Sequence, residues 1–173
     1  MNILDLIKER RSIRKFKTVN IPESEIKELI EAAISAPSAG NIQPWEFIVV
    51  RRKEIKTKLA DAALGQKFIE AAPLVIVVCA NTSRSAKFYG SRGVNLYCLQ
   101  DTAAAIQNML LLSKSKKIGS CWIGAFSEDA VSEILNIPSS IRPIAIIPFG
   151  YPEETPHRTS RRSLEEVVHY ESF

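Results

Sequence analysis

The sequence predicts an α+β layered fold, and three observations carry that prediction. Amphipathic helical runs open the chain, and a long, mostly apolar helix occupies its centre. Three or four short β-rich runs are interleaved with five or six helices without a regular βαβ repeat.

Each element has its own signal. Residues 2–10 place Ile3, Leu4, Leu6 and Ile7 on one helical face, with charges opposite. Arg10 to Phe16 breaks that pattern. A second helix starts at Pro22, carries Glu23 and Glu25 in its first turn, repeats Ile26, Leu29, Ile30, Ala33 and Ile34 at helical spacing, and ends near Ala36, before Pro37. Pro37 to Pro44 reads as a polar turn and Trp45 to Val50 as a strand. Residues 53–63 read as helical, and 66–71 as a further short helical piece. Leu74 to Ala80 is short and β-branched, the mark of a buried strand. Residues 81–92 are polar and loop-like. From Gly93 to about Lys116 runs the longest helix, with Leu96, Leu99, Ala103, Ile106, Leu110 and Ser113 as its stripe. Its middle is apolar over most of its circumference, which places it in a core or a subunit interface. Gly119 ends that region. Ser120 to Phe126 gives a short strand and turn, Ser127 caps a helix to about Leu135, and Arg142 to Gly150 is the last strong strand. The tail shows a short helical pattern at Leu164 to Val168.

The chain has 173 residues, 46% hydrophobic and 24% charged, a balance that suits one soluble domain and excludes a disordered chain. Its N-terminus lacks the apolar centre of a signal peptide, and its apolar runs are far below the ~18 residues of a membrane span. Cys79, Cys98 and Cys121 are odd in number, single, and set among apolar neighbours, so they read as reduced core residues. Together these features point to the cytoplasm.

The net charge of +4 is unevenly placed. Residues 8–17 hold Lys8, Arg10, Arg11, Arg14, Lys15 and Lys17 against Glu9 alone, or +5, so the remainder sums to −1. Arg158, Arg161 and Arg162 form a second cluster. Two compact clusters suit a discrete anion such as a phosphate better than a nucleic-acid stripe, although surface cations of this kind are often only solvated. Lys15 and Lys17 are read that way, and Trp45 as core.

Absences narrow the chemistry. There is no G-x-G-x-x-G fingerprint, Walker loop, H-E-x-x-H or C-x-x-C, and the only histidines, His157 and His169, lie in the tail. Hydrolytic and metal catalysis are poorly equipped. A protein that delegates redox chemistry to a bound cofactor needs no such side chains.

Four segments carry the positive argument. RRSIRKF (residues 10–16) alternates cations around a hydroxyl and suits a phosphate. PSAGNIQPW (37–45) is a proline-bracketed turn with small residues and amides. GSCWIGAF (119–126) is a glycine-bracketed strand end whose backbone can lie against a flat ring. Arg158 to Arg162 adds late positive charge.

In this order, over nearly the whole chain, these segments resemble the nitroreductase family of FMN enzymes. The resemblance implies the nitroreductase fold, with a central mixed or antiparallel sheet flanked by helices and the long helix at a dimer interface. It implies one domain over residues 1–173, whose tail, 151–173, contributes to the flavin site and the dimer. For FMN it implies Arg10, Arg11, Ser12 and Arg14, with Arg161 or Arg158 at the phosphate. It brings Pro37, Ser38, Ala39, Asn41 and Gln43 from the other subunit, Gly124 and Ala125 beside the reactive ring edge, and Gln66 and Lys67 against the ring. No side chain is expected to be catalytic and no metal is expected. NAD(P)H is the implied donor and a nitroaromatic, quinone or similar small molecule the acceptor, taken in turn at one cleft. A homodimer follows, with neither nucleic acid nor membrane as partner. Flavin fragmentation, reductive dehalogenation and a non-catalytic flavin-binding module are the alternatives.

Overall fold

The computed structural model describes residues 2–173. Seven helices and four strands follow in the order α1 (Ile3–Glu9), α2 (Glu23–Ile34), β1 (Trp45–Val50), α3 (Lys53–Ala62), α4 (Phe68–Ala71), β2 (Leu74–Asn81), α5 (Thr82–Arg92), α6 (Cys98–Ser115), β3 (Gly119–Ser120), α7 (Glu128–Leu135) and β4 (Ile141–Gly150). The strands form one antiparallel sheet in the order β1-β2-β4-β3. This is the α+β class that the sequence predicts.

Side-chain alternation along β2 explains the layers. Leu74, Ile76 and Val78 point to one face, where they meet Ile26, Leu29 and Ala33 of α2 and Ala105, Ile106 and Met109 of α6. Val75, Val77 and Cys79 point to the other face, against Leu59 of α3, Ile69 of α4 and Val131 of α7. On β4, Ala145, Ile147 and Phe149 join the first core, and Ile146 the second. Both faces are therefore covered, which is why β2 has no polar alternation. A bulge between Val78 and Cys79 shifts the β2–β4 register.

Helix ends follow local chemistry. The Ser127 hydroxyl accepts the Ala130 amide at 3.2 Å, as a Ser cap should, and Asn136 closes α7 in the left-handed region. The Lys116 ammonium joins Glu25 and Glu28 of α2 at 2.8 and 2.7 Å, tying the end of α6 to the start of α2.

Five sequence expectations are corrected. Residues 81–92, expected as a loop, form α5. The Asn81 side chain caps it by accepting the Arg84 amide at 3.1 Å, and the Thr82 hydroxyl donates to the Ser140 carbonyl at 2.9 Å. No apolar stripe betrays this helix, because tertiary polar contacts hold it. The long helix starts with a π-helical turn over Gly93–Tyr97 before α6 begins at Cys98. Its buried face also differs from the expected stripe. Ile106, Leu110 and Ser113 are buried, but with Cys98, Asp101, Thr102, Ala105 and Met109, while Leu96, Leu99 and Ala103 stay half-exposed. The chain reverses after α6 at Lys117, with φ 59°, rather than at Gly119. Gly119 serves close packing instead: a Cβ there would lie 2.8 Å from that of Ile13. Finally, Leu164 to Val168 makes a single turn, not a helix, with the Val168 amide donating to the Leu164 carbonyl at 2.9 Å.

Candidate functional site

Residues 10–16 run extended beside the sheet. Ser12 pairs with Ser120 in a parallel bridge, the Ile13 amide donates to the Ser120 carbonyl at 3.0 Å, and Phe16 pairs with Pro152. Ile13 and Phe16 anchor the segment in the second core. The alternate residues Arg10, Ser12 and Arg14 share the surroundings of one buried thiol, Cys121. Burial pushes that thiol up, while Arg14, a hydrogen bond from Ser12, and Arg10 pull it back. Glu154 fixes the backbone here, its Oε1 accepting the amides of Arg14 at 2.5 Å and Lys15 at 3.0 Å.

The electrostatics of this face call for an anion. The Arg10 guanidinium is pushed below its ordinary value by burial first, then by the like charges of Arg11 and Arg161. None of the ion pairs among the described residues involves Arg10, Arg11, Arg14 or Arg161. The like charges of Arg10, Arg11 and Arg161, none of them in an ion pair, form a set that a phosphate relieves. The structure also separates the tail arginines. Arg161 is the one whose charge reaches Arg10, whereas Arg162 turns back to the Glu166 carbonyl. Arg158 is exposed and makes no hydrogen bond or ion pair among those described.

Two further segments adjoin this face. The Arg14 guanidinium lies over the Phe68 ring, 5.8 Å from its centroid, which brings α4 and the preceding Lys67 alongside; the Lys67 side chain is exposed. The Gln66 side-chain amide donates to the Ala63 carbonyl at 2.9 Å and approaches that of Ala125 at 3.5 Å. A Cβ at Gly124 would meet nothing within 4 Å, so the backbone of residues 124–125 borders open space. Cations, an open glycine edge and flanking amides fit a phosphate-bearing planar cofactor such as FMN. The cation segment also borders a cleft of 1080 Å³, walled by Glu9, Arg10, Arg11, Lys17, Lys114 and Tyr151 among others.

The Pro37–Gln43 turn does not join them within the chain. It contains one 3-10 turn, Ala39–Asn41, with Gly40, Asn41 and Gln43 in the left-handed region at φ 55°, 57° and 55°. The Ser38 hydroxyl accepts the Gln43 amide at 2.9 Å, and the Gln43 side chain donates to Asn41 Oδ1 at 3.2 Å. Outside the turn, the Ala39 amide donates to Asp101 Oδ1 at 3.0 Å, Arg84 of α5 donates to the Ile42 carbonyl, and Gly40 abuts the Tyr89 hydroxyl. Asp101 lies in the first turn of α6. Lys114, which pairs with Glu9 at 3.5 Å next to Arg10, lies in its last turn. Thirteen residues of helix put the two motifs on the order of 20 Å apart along α6.

Sequence reasoning missed Asp101, Glu154 and the α5 residues Arg84 and Tyr89. Asp101 had a legible signal: it is the only charged residue between Tyr97 and Ser113. Glu154 had none, because its role is set by a contact spanning 140 positions. All three cysteines are buried and unpaired, with the Cys79 thiol pushed up to about 12, which leaves them unreactive. Among the described residues there is no cluster of metal ligands, and no helix is long and apolar enough to cross a membrane.

Known proteins share this fold. The sequence profile of the Nitroreductase family matches residues 7–68 and 62–151. A protein of Methanothermobacter thermautotrophicus, provisionally named an NADH dehydrogenase/NAD(P)H nitroreductase, is 38% identical over 160 residues, 90% of this chain and 80% of its own. The NADPH:FMN oxidoreductase of Vibrio harveyi, solved in complex with NAD+, superposes with a TM-score of 0.92 at 27% identity, over 100% of this chain and 78% of that one. Nitroreductase A of Vibrio parahaemolyticus gives a TM-score of 0.92 at 26% identity, over 100% of this chain and 77% of that one.

Proposed function

The chain belongs to the nitroreductase family, and from that membership we propose that it is an FMN-dependent NAD(P)H oxidoreductase whose flavin sites are each built from two chains. The observation that carries this reading is the set of like charges at Arg10, Arg11 and Arg161, none in an ion pair, on the segment around Cys121, with open backbone at Gly124 three residues further along the chain.

In this reading Arg10, Arg11, Ser12, Arg14 and Arg161 hold the FMN phosphate, with Arg158 at its margin. Gly124, Ala125, Gln66 and Lys67 border the ring. When bound, FMN supplies the redox chemistry, taking a hydride from NAD(P)H and passing the electrons to a small acceptor such as a nitroaromatic or a quinone. The protein orients and tunes. The fixed charge of Arg14 and Lys67 favours electron density on the nearby ring. The backbone edge at Gly124 lets a flat donor approach without a side chain in the way. The sequence carries no dinucleotide-binding fingerprint, which agrees with donor and acceptor using one cleft in turn, by ping-pong kinetics.

The separation of the two motifs along α6 supports a dimer. A two-fold axis across α6 sets the start of one helix against the end of the other, so that the turn at residues 37–43 of one chain meets the cation segment of its partner. The half-exposed Leu96, Leu99 and Ala103 give that contact an apolar face. Residues 157–173 are exposed throughout, with Leu164, Val167 and Val168 uncovered, and this tail packs on the partner. Single-domain organisation with a tail shared between subunits is thus part of the same proposal.

Two measurements test it. Anaerobic mixing of the FMN-loaded protein with NADH or NADPH bleaches the flavin absorbance; no bleaching with either donor rejects the enzyme. The chain partnership is read by complementation. Arg10→Ala and Asn41→Ala homodimers each retain little FMN, whereas the mixed dimer carries one intact site and retains one flavin per two chains. A mixed dimer no better than its parents contradicts the split site.

A further inference from the structure

A lone carboxylate on the buried face of α6 calls for an explanation. Asp101 is 6% exposed and lies on the buried face of α6 with Cys98, Thr102 and Ala105. Burying its charge is costly, so an apolar side chain would serve the core better. Its Oδ1 reaches 62 positions along the sequence to take the amide proton of Ala39 at 3.0 Å.

What that bond holds is a strained turn. Asn41 and Gln43 are left-handed without being glycine, at φ 57° and 55°. Such backbone persists only where its surroundings over-determine it. Inside the turn, Ser38 and Ala39 accept the amides of Gln43 and Ile42. From outside, Asp101 grips its first amide and Arg84 its last carbonyl. The Asp101 bond also fastens the turn directly to α6, the helix about which the two half-sites are arranged.

We propose that Asp101 is a positioning residue for the flavin site: its buried carboxylate anchors the turn at residues 38–43, so that Ser38, Asn41 and Gln43 are presented to the flavin held by the partner subunit. The inference rests on the split FMN site described above and adds to it the group that sets its geometry. Asp101 itself touches neither cofactor nor substrate.

The test uses the full-length apoprotein, titrated with FMN by fluorescence quenching, with amide hydrogen exchange over residues 38–43 as an independent readout. Asp101→Leu removes the acceptor at similar volume. It is expected to weaken FMN binding on the order of 10- to 100-fold and to speed exchange at Ala39 before any flavin is added. Asp101→Asn keeps an acceptor oxygen and is expected to stay within about fivefold of wild type, with exchange at Ala39 nearly unchanged. Ala39→Pro deletes the donor instead; Ser38, extended at φ −142° and ψ 155°, tolerates a following proline. It is expected to match Asp101→Leu, and the two changes together are expected to cost little more than either alone. Wild-type affinity and exchange in Asp101→Leu would overturn the proposal; if that variant does not fold, wild-type affinity in Ala39→Pro does so. Should Arg10→Ala lose FMN while Asp101→Leu keeps it, the split site stands and the positioning role falls. Should the wild-type protein bind no FMN, the site reading fails, and the exchange rates alone decide whether Asp101 anchors the turn.

Discussion

Replacing Arg10 with alanine is expected to weaken FMN binding by about 10- to 100-fold, the range for losing a hydrogen bond to a charged group in a partly desolvated site. Lys17→Ala, on the same basic segment, is expected to stay within about twofold, because Lys17 is exposed and lies beyond the cation cluster. Both variants remove one positive charge, so a purely long-range attraction to phosphate predicts equal losses. Equal affinities in the two variants would therefore refute the phosphate assignment. The same change has the opposite sign for the apoprotein. Arg10 is held below its ordinary pKa by burial and by the charges of Arg11 and Arg161, so its cation is disfavoured in the empty fold. Apo Arg10→Ala is thus expected to melt no lower than the apo wild type, in a thermal scan that also shows its smaller response to added FMN.

The second large effect is on stability. Phe149 is fully buried on β4, paired with Leu74 of β2 and Ser120 of β3, in the core formed by α2, α6 and the sheet. Phe149→Ala leaves a cavity in a layer hemmed in on both sides, at a cost of about 3–5 kcal/mol. For a chain of this size each kcal/mol moves Tm by roughly 2–4 °C, so the apoprotein is expected to melt about 6–20 °C lower. Phe149→Leu, which keeps most of the volume, is expected to cost no more than about 1.5 kcal/mol. A melting curve for Phe149→Ala within about 2 °C of wild type is incompatible with this core.

The sequence announced the elements whose periodicity reflects core packing. Trp45 to Val50, the β-branched run of β2 and the Ser127 cap of α7 stand where hydrophobic period and capping chemistry put them. It concealed α5, whose polar residues are held by Asn81, Ser140 and Ile42 rather than by an apolar stripe. It misplaced the buried stripe of α6, because Asp101 and Thr102 sit on the covered face and Leu99 and Ala103 on the more open one. The cation segment was legible as charge, since six cations in ten residues need no structure to be seen. The supports of that segment were not. Glu154 acts on backbone amides distant in sequence, and nothing local marks a carboxylate for such a task.

The separation of the two motifs along α6 has a thermodynamic consequence. If each flavin bridges two chains, cofactor binding and subunit association are linked equilibria, and each must strengthen the other by the same factor. FMN then acts as a cross-link as well as a reagent. Loss of flavin loosens the assembly, and dilution below the dimer dissociation constant releases flavin even where every contact residue is intact.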